Sequence, residues 1–150
     1  MNKRILSLAV ALILLLASVT LLAGCGEEKV DYVASVKAWK PFGSSGITAT
    51  YGTVLNKYIS SCKWTATTHS KDLTDVEASG QIKASDGTSE NITIKVSVTP
   101  GTTKDTLKFK LVWAKFGDET FDGDETSDFI ANLFEVYDAG YDSLEQYFAE

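Results

Sequence analysis

Residues 90–99, ENITIKVSVT, decide the fold, because apolar and polar side chains alternate strictly from Ile92 to Thr99. The apolar positions are Ile92, Ile94, Val96 and Val98. Successive side chains of a β-strand point to opposite faces, so the pattern predicts a strand with one buried face and one solvent-facing face.

The flanking sequence predicts three further strands, at about 63–69, 74–84 and 105–116. The last alternates Leu107, Phe109, Leu111 and Trp113 with lysines. Turn-forming residues separate the strands at 70–72, 86–87 and 100–101. Short turns join antiparallel neighbours, so the four strands are expected to form a meander. Gly80 inside the second strand indicates a bulge or a close approach of another backbone.

Two stretches have helical periodicity. Apolar residues from Tyr51 to Ile59 recur at helical spacing after Thr50, a good N-cap, which predicts a helix at 51–60. A second apolar series from Ile130 to Phe148 predicts a long helix at 126–149, kinked or broken at Gly140. The expected fold class is α+β: a short helix, a four-stranded antiparallel meander sheet, and a long C-terminal helix packed on one face.

Composition excludes several functions. The 150 residues carry a formal net charge of -6, which argues against a nucleic-acid partner. One histidine and two cysteines cannot form a multi-histidine metal site or a cysteine zinc cluster. Arg4 is the only arginine, so the globular part has no guanidinium to bind phosphate. No motif for a cofactor is present, and none is expected.

The N-terminus has the pattern of an export signal. Lys3 and Arg4 precede an apolar run from Ile5 to Leu22, and small residues follow it. The ending Leu22-Ala23-Gly24-Cys25 resembles a bacterial lipobox. That resemblance implies lipidation of the Cys25 thiol and cleavage between Gly24 and Cys25. The expected organisation is a signal peptide at 1–24, an anchor and tether at 25–46, and one domain at 47–150.

A lipid on Cys25 implies a location and a first partner. Two acyl chains hold a protein stably at a membrane, so the mature chain is expected on the outer face of the cell membrane. Gly26 follows the cysteine in place of Asp. In a cell with two membranes this implies the outer one.

The globular part also resembles a family of small Gram-positive lipoproteins without an assigned function. The matching features are Val36-Lys37, the helix at 51–59, Lys63-Trp64, Gly80 and the stretch 133–137, LFEVY. Cys62 departs from the family pattern, where a polar residue is expected. The resemblance implies a fold and a location, and no activity. The helix-then-meander order is also similar to cystatin-type or lactamase-inhibitor-type layers, which bind other proteins.

Eleven acidic residues and no lysine lie between Phe116 and Glu150. This region is either a surface for cations and basic partners or a solvated helix face. Asp122, Asp124 and Asp128 have part of the spacing of a calcium loop, but the glycine and glutamate that an EF-hand needs are missing. They are weak metal candidates beside the simpler interpretation of a helix cap.

Cys62 is either a reactive thiol or a small buried apolar residue. His69 follows it by seven residues, which places the two on opposite faces of a strand and argues against a nucleophile pair. The aromatic residues are the better indication of function. Trp113 and Trp64 are candidate binding residues, and core packing is the alternative for each.

The leading hypothesis is therefore a lipid-anchored extracytoplasmic binding or accessory domain of the cell envelope. Its partner would be an envelope protein, a peptide or a glycan. Two alternatives stay open. One is an envelope hydrolase with an unrecognised site, and the other is a structural protein that associates with itself.

Overall fold

The computed structural model describes residues 29–84, 86–103 and 105–148. Helices α1 (Tyr32–Ala38) and α2 (Tyr51–Tyr58) flank a 3-10 turn at Gly43–Ser45. Five strands follow: β1 (Ile59–Ser70), β2 (Leu73–Lys83), β3 (Ser89–Pro100), β4 (Leu107–Phe116) and β5 (Glu119–Phe121). Helices α3 (Gly123–Asp138) and α4 (Leu144–Phe148) follow β5.

The strands form one antiparallel sheet in the order β1-β2-β3-β4-β5, so each strand pairs with its sequence neighbour. The predicted α+β class and the meander are confirmed, with a fifth strand in addition to the four expected. β5 is only three residues long, too short for an alternating pattern to stand out in the sequence.

The helices cover one face of the sheet. The buried sheet residues are Val76, Ala78, Ile82, Ile92, Ile94, Val96, Val98 and Ala114. They pack against a second set from the helices, including Val54, Leu55, Ile130, Leu133 and Phe134. The other face carries polar residues of β1, β2 and β3. Among the residues that the structure describes, the buried ones lie between Val36 and Val136, within the compact unit Asp31–Glu150.

Local signals start and stop the helices. The side chain of Thr50 accepts a hydrogen bond from the Thr53 N–H at 3.2 Å, which caps α2 as expected. Asp122 and Glu125 form a reciprocal capping box at the start of α3. Gly140 has a left-handed φ of 84°, and the predicted break of the C-terminal helix occurs there.

The sequence assigned residues 25–46 to a tether, and the structure corrects this boundary. Asp31 caps α1 by accepting the Ala34 N–H at 2.9 Å, and Val36 on that helix is fully buried. A seven-residue helix is too short to show a periodic pattern, and its burial depends on contacts with distant residues. The predicted signal peptide, Gly24 and Cys25 lie outside the described residues.

A bulge in β4 changes which side chains face the core. Lys95 pairs with Trp113 and Val96 with Leu111, so Val112 is the extra residue. The predicted alternation placed Trp113 on the same face as Leu111. The structure places Trp113 on the open face instead, and turns Ala114 and Phe116 inward.

Candidate functional site

An apolar groove of about 510 Å³ lies where the ends of β2 and β4 meet α3 and α4. Its apolar lining consists of Ile82, Ala84, Phe116, Phe121, Phe129 and Leu144. Its polar lining consists of Lys83, Glu90, Glu125, Asp128 and Asn132. This volume is within the range of small-molecule sites, which are typically apolar with a few polar groups. We call it the phenylalanine groove.

Helix α3 supplies one wall of the phenylalanine groove. Glu125, Asp128, Phe129 and Asn132 follow the spacing i, i+3, i+4 and i+7, which places them on one side of a helix. The buried residues Ile130, Leu133 and Phe134 occupy the adjacent side and fix the helix on the sheet. Helix α3 therefore has two functional sides. The apolar side, which the sequence pattern predicted, packs on the core, and the adjacent side, which mixes polar residues with Phe129, lines the groove.

Three phenylalanine rings form the floor. The Phe116 ring meets Phe129 at a centroid distance of 4.7 Å and Phe121 at 5.3 Å, and both pairs are nearly perpendicular. Edge-to-face pairs of this kind hold the rings in defined orientations. All three rings are only half-buried, so each retains accessible apolar surface toward the groove.

The floor depends on the β4 bulge. Without the extra residue Val112, strict alternation from Leu107 would place Phe116 on the open face. With it, Phe116 pairs with Ile92 and shares that residue's inward orientation. The sequence analysis missed Phe116 as a site residue for this reason, and it missed Phe121 because the three-residue strand β5 was not predicted. The mixed spacing of α3 was the signal that could have indicated one wall.

The loop between α3 and α4 places Leu144 at the groove. The Tyr58 hydroxyl donates to the Tyr141 carbonyl oxygen at 2.9 Å, and Lys57 Nζ lies 3.3 Å from Asp142 Oδ1. Both contacts attach the loop to the end of α2. The groove is therefore bounded by elements that hydrogen bonds and packing hold in place.

The rim of the groove is mainly acidic. Glu90, Glu125 and Asp128 contribute three carboxylates, against one ammonium from Lys83. Glu125 Oε2 accepts the Asp122 N–H at 3.1 Å as part of the capping box. Neither Glu90 nor Asp128 forms an ion pair within the described parts of the chain.

The open sheet face carries a polar network around Asp75. His69 Nε2 lies 2.9 Å from Asp75 Oδ2, and the Ser97 hydroxyl donates to Oδ1. Lys95 Nζ lies 3.5 Å from Asp75 and 3.2 Å from Glu77. Burial raises the pKa of Asp75, but the hydrogen bonds from Ser97 and His69 and the charge of Lys95 outweigh it. The pKa of Asp75 therefore lies below its usual range.

This network differs from a hydrolase triad in its connectivity. In a triad the serine hydroxyl bonds to the histidine, which removes its proton. Here Ser97 and His69 bond to opposite oxygens of Asp75, so the carboxylate separates them. The arrangement links three strands through polar contacts, and His69 is not placed to take the proton of the serine.

The two candidate tryptophans lie on opposite faces of the sheet. Trp113 is half-buried on the open face, with Lys95 Nζ 5.1 Å from its ring centre. Trp64 is half-buried on the helix side, where Nε1 donates to Asn56 Oδ1 at 3.1 Å. Trp64 packs against the core, so the structure does not combine the two into one site.

Cys62 and His69 lie on opposite faces of the sheet and do not form a pair. Cys62 packs against the core in a half-buried position, and burial raises the pKa of its thiol, with Lys37 opposing. His69 bonds to Asp75 on the other face. His69 is therefore not placed to act as a base for this thiol.

The three candidate metal ligands point to different surroundings. Asp122 Oδ1 accepts the N–H groups of Asp124 and Glu125, at 2.9 and 3.1 Å. Asp124 lines a depression beside Trp39, whereas Asp128 lines the phenylalanine groove. No cluster of three possible metal ligands occurs among residues 29–84, 86–103 and 105–148.

Comparisons of the chain with family models, curated proteins and solved structures give no significant match. Within the described ranges, every helix is too short or too polar to cross a membrane.

Proposed function

We propose that this chain is a lipid-anchored binding domain on the outer face of the cell membrane, and that its ligand occupies the phenylalanine groove. One observation carries the proposal: a groove of about 510 Å³ has a floor of three half-buried phenylalanine rings that no other part of the described chain covers. Binding sites are typically apolar clefts in which a few polar groups fix the orientation of the ligand.

The groove is suited to binding more than to catalysis. Its floor of three phenylalanine rings offers no nucleophile, and its polar groups stand on the rim. A ligand that covers the three rings would remove apolar surface from water on both molecules, which is favourable at about 25 cal/mol per Å². This supports recognition of an apolar ligand without a chemical step.

The location rests on the sequence. The charged start, the apolar run and the lipobox-like ending at Cys25 support export and lipidation. A lipid tether at Cys25 would leave the compact unit from Asp31 onward outside the membrane. The tether would keep the groove accessible to ligands of the envelope.

The binding proposal is tested with residues 26–150, which contain the compact unit Asp31–Glu150 and its described core. The neutral dye 1-N-phenylnaphthylamine fluoresces strongly in apolar sites, and its titration with the domain is expected to show saturable enhancement. Asn132→Trp places a bulky ring at an exposed wall position of the groove and is expected to abolish the enhancement. Thr65→Trp adds the same ring to the open face and is the matched control.

Saturable binding that Asn132→Trp leaves unchanged would place the dye elsewhere and overturn the proposal. Absence of dye binding by the folded wild-type domain, with folding verified by a cooperative thermal transition, would also overturn it.

The anchor is tested separately in bacterial cells fed an alkyne fatty acid. The wild-type chain and Cys62→Ser are expected to take up the label, and Cys25→Ser is expected to lose it. Label on Cys25→Ser, or no label on the wild-type chain, would contradict lipidation at this residue.

A further inference from the structure

We infer that the phenylalanine groove selects a small organic cation, meaning a molecule with an apolar body and a positively charged group. This inference rests on the proposed function and adds the chemical class of the ligand. The apolar body would contact the rings of Phe116, Phe121 and Phe129, and the charged group would lie at the acidic rim.

Charge complementarity supports a cation. Three carboxylates and one ammonium line the groove, so its local charge is negative. The segment that supplies Phe116, Phe121 and helix α3 is also acidic in sequence, since residues 116–150 contain eleven acids and no lysine. A cleft lined mainly by one sign of charge concentrates ligands of the opposite sign.

The positions of the carboxylates suit a ligand lying across the floor. Glu90 pairs directly with Ile82 across β2 and β3, so it stands on the helix side of the sheet. Asp128 lies on the facing wall, one residue before Phe129. Neither has a cationic partner among the residues that the structure describes, so a bound cation would compete with no internal ion pair.

The N-terminus of α3 would by itself favour an anion, because its free N–H groups carry partial positive charge. Asp122 accepts the N–H groups of Asp124 and Glu125 and so occupies this end of the helix. Glu125 adds a second carboxylate at the same point. The two carboxylates therefore neutralise the partial positive charge of the helix end, and the net charge at the rim is negative.

The size of the groove favours a small molecule over a peptide. About 510 Å³ accommodates a ligand of one or two rings, whereas a peptide needs a longer channel or a sheet edge.

Three matched probes test the charge requirement: 1-naphthylmethylammonium, neutral 1-naphthalenemethanol and 1-naphthoate. They share the naphthalene ring and differ in charge.

Each probe competes with 1-N-phenylnaphthylamine for residues 26–150. The cation is expected to displace the dye at an about tenfold lower concentration than 1-naphthoate, with the neutral alcohol between them. Glu90→Gln and Asp128→Asn are each expected to reduce this difference about two- to fivefold, since the carboxylates are exposed. Asp72→Asn removes one charge from the β1–β2 turn at the opposite end of the hairpin, and is expected to leave it unchanged.

Three other outcomes would each overturn a different part of the proposal. Equal displacement by all three probes, unaffected by the neutralising variants, would overturn the cation requirement while the groove still binds the dye. Displacement by a lysine-flanked leucine peptide, but not by 1-naphthylmethylammonium, would replace the small molecule with a protein partner. Failure of the dye itself to bind would instead overturn the proposed function.

Discussion

Gly80→Ala is expected to destabilise the domain because β1 leaves no space for a side chain at this position. A Cβ on residue 80 would lie 2.5 Å from the Ser60 carbonyl oxygen and 2.6 Å from Ile59 Cγ2. Opposite Gly80, β1 bulges between Ser60 and Lys63, and Ser61 has a left-handed φ of 54°. The carbonyl belongs to the backbone of the bulge, so it cannot rotate away as a flexible side chain would.

Overpacking of this kind costs about 1–3 kcal/mol, which for a domain of this size lowers Tm by roughly 3–15 °C. Urea unfolding followed by tryptophan fluorescence measures the change in the free energy of unfolding. Gly43→Ala is the matched control, because a Cβ there meets only Lys40 Cβ at 3.7 Å. A Gly80→Ala domain as stable as the Gly43→Ala domain would refute the close approach.

Three further predictions concern stability. Tyr51→Phe is expected to raise the free energy of unfolding by about 1 kcal/mol in urea titration, because the buried Tyr51 hydroxyl has no hydrogen-bond partner among the described residues. An equal or lower stability would contradict that. Val36→Ala is expected to cost about 2 kcal/mol by the same assay, whereas Val30→Ala, an equal change at an exposed position, costs almost nothing. Equal changes in the free energy of unfolding for the two substitutions would show that residues 31–46 belong to the tether and not to the domain. The pKa of Asp75 is lower in the folded than in the unfolded chain, so its contribution is complete above the unfolded pKa of about 3.9 and is lost as pH falls through the lower folded value. Asp75→Asn is therefore expected to flatten the acid limb of the stability–pH curve, and an unchanged limb would contradict the role of the network.

Much of the fold was predictable because its signals are local. The alternation from Ile92 to Val98 depends only on the geometry of an extended chain, and the spacing from Tyr51 to Tyr58 only on that of a helix. Turn residues at 86–87 and 100–101 then set the order of the meander. The start of the domain was not predictable in this way, since α1 is recognisable only by the burial of Val36.

The candidate site was largely not predictable. Trp113 and Trp64 stood out by residue type, yet one lies on the open face and the other packs against the core. No sequence pattern singled out Phe116 and Phe129, yet their rings form part of the floor of the groove. An exposed aromatic ring and a buried one have the same local pattern, so only packing separates them.

The sequence by itself determined the α+β class, the strand order and the interruption of the last helix at Gly140, because these follow from periodicity and backbone preference within a few residues. Only the tertiary structure decided that Val112 is an extra residue in β4, since a bulge is defined against the partner strand. That one residue turns Trp113 outward and Phe116 inward. The acidic rim has the same origin: Glu90 and Asp128 lie 38 positions apart in the chain and meet at one groove because the sheet and α3 pack together.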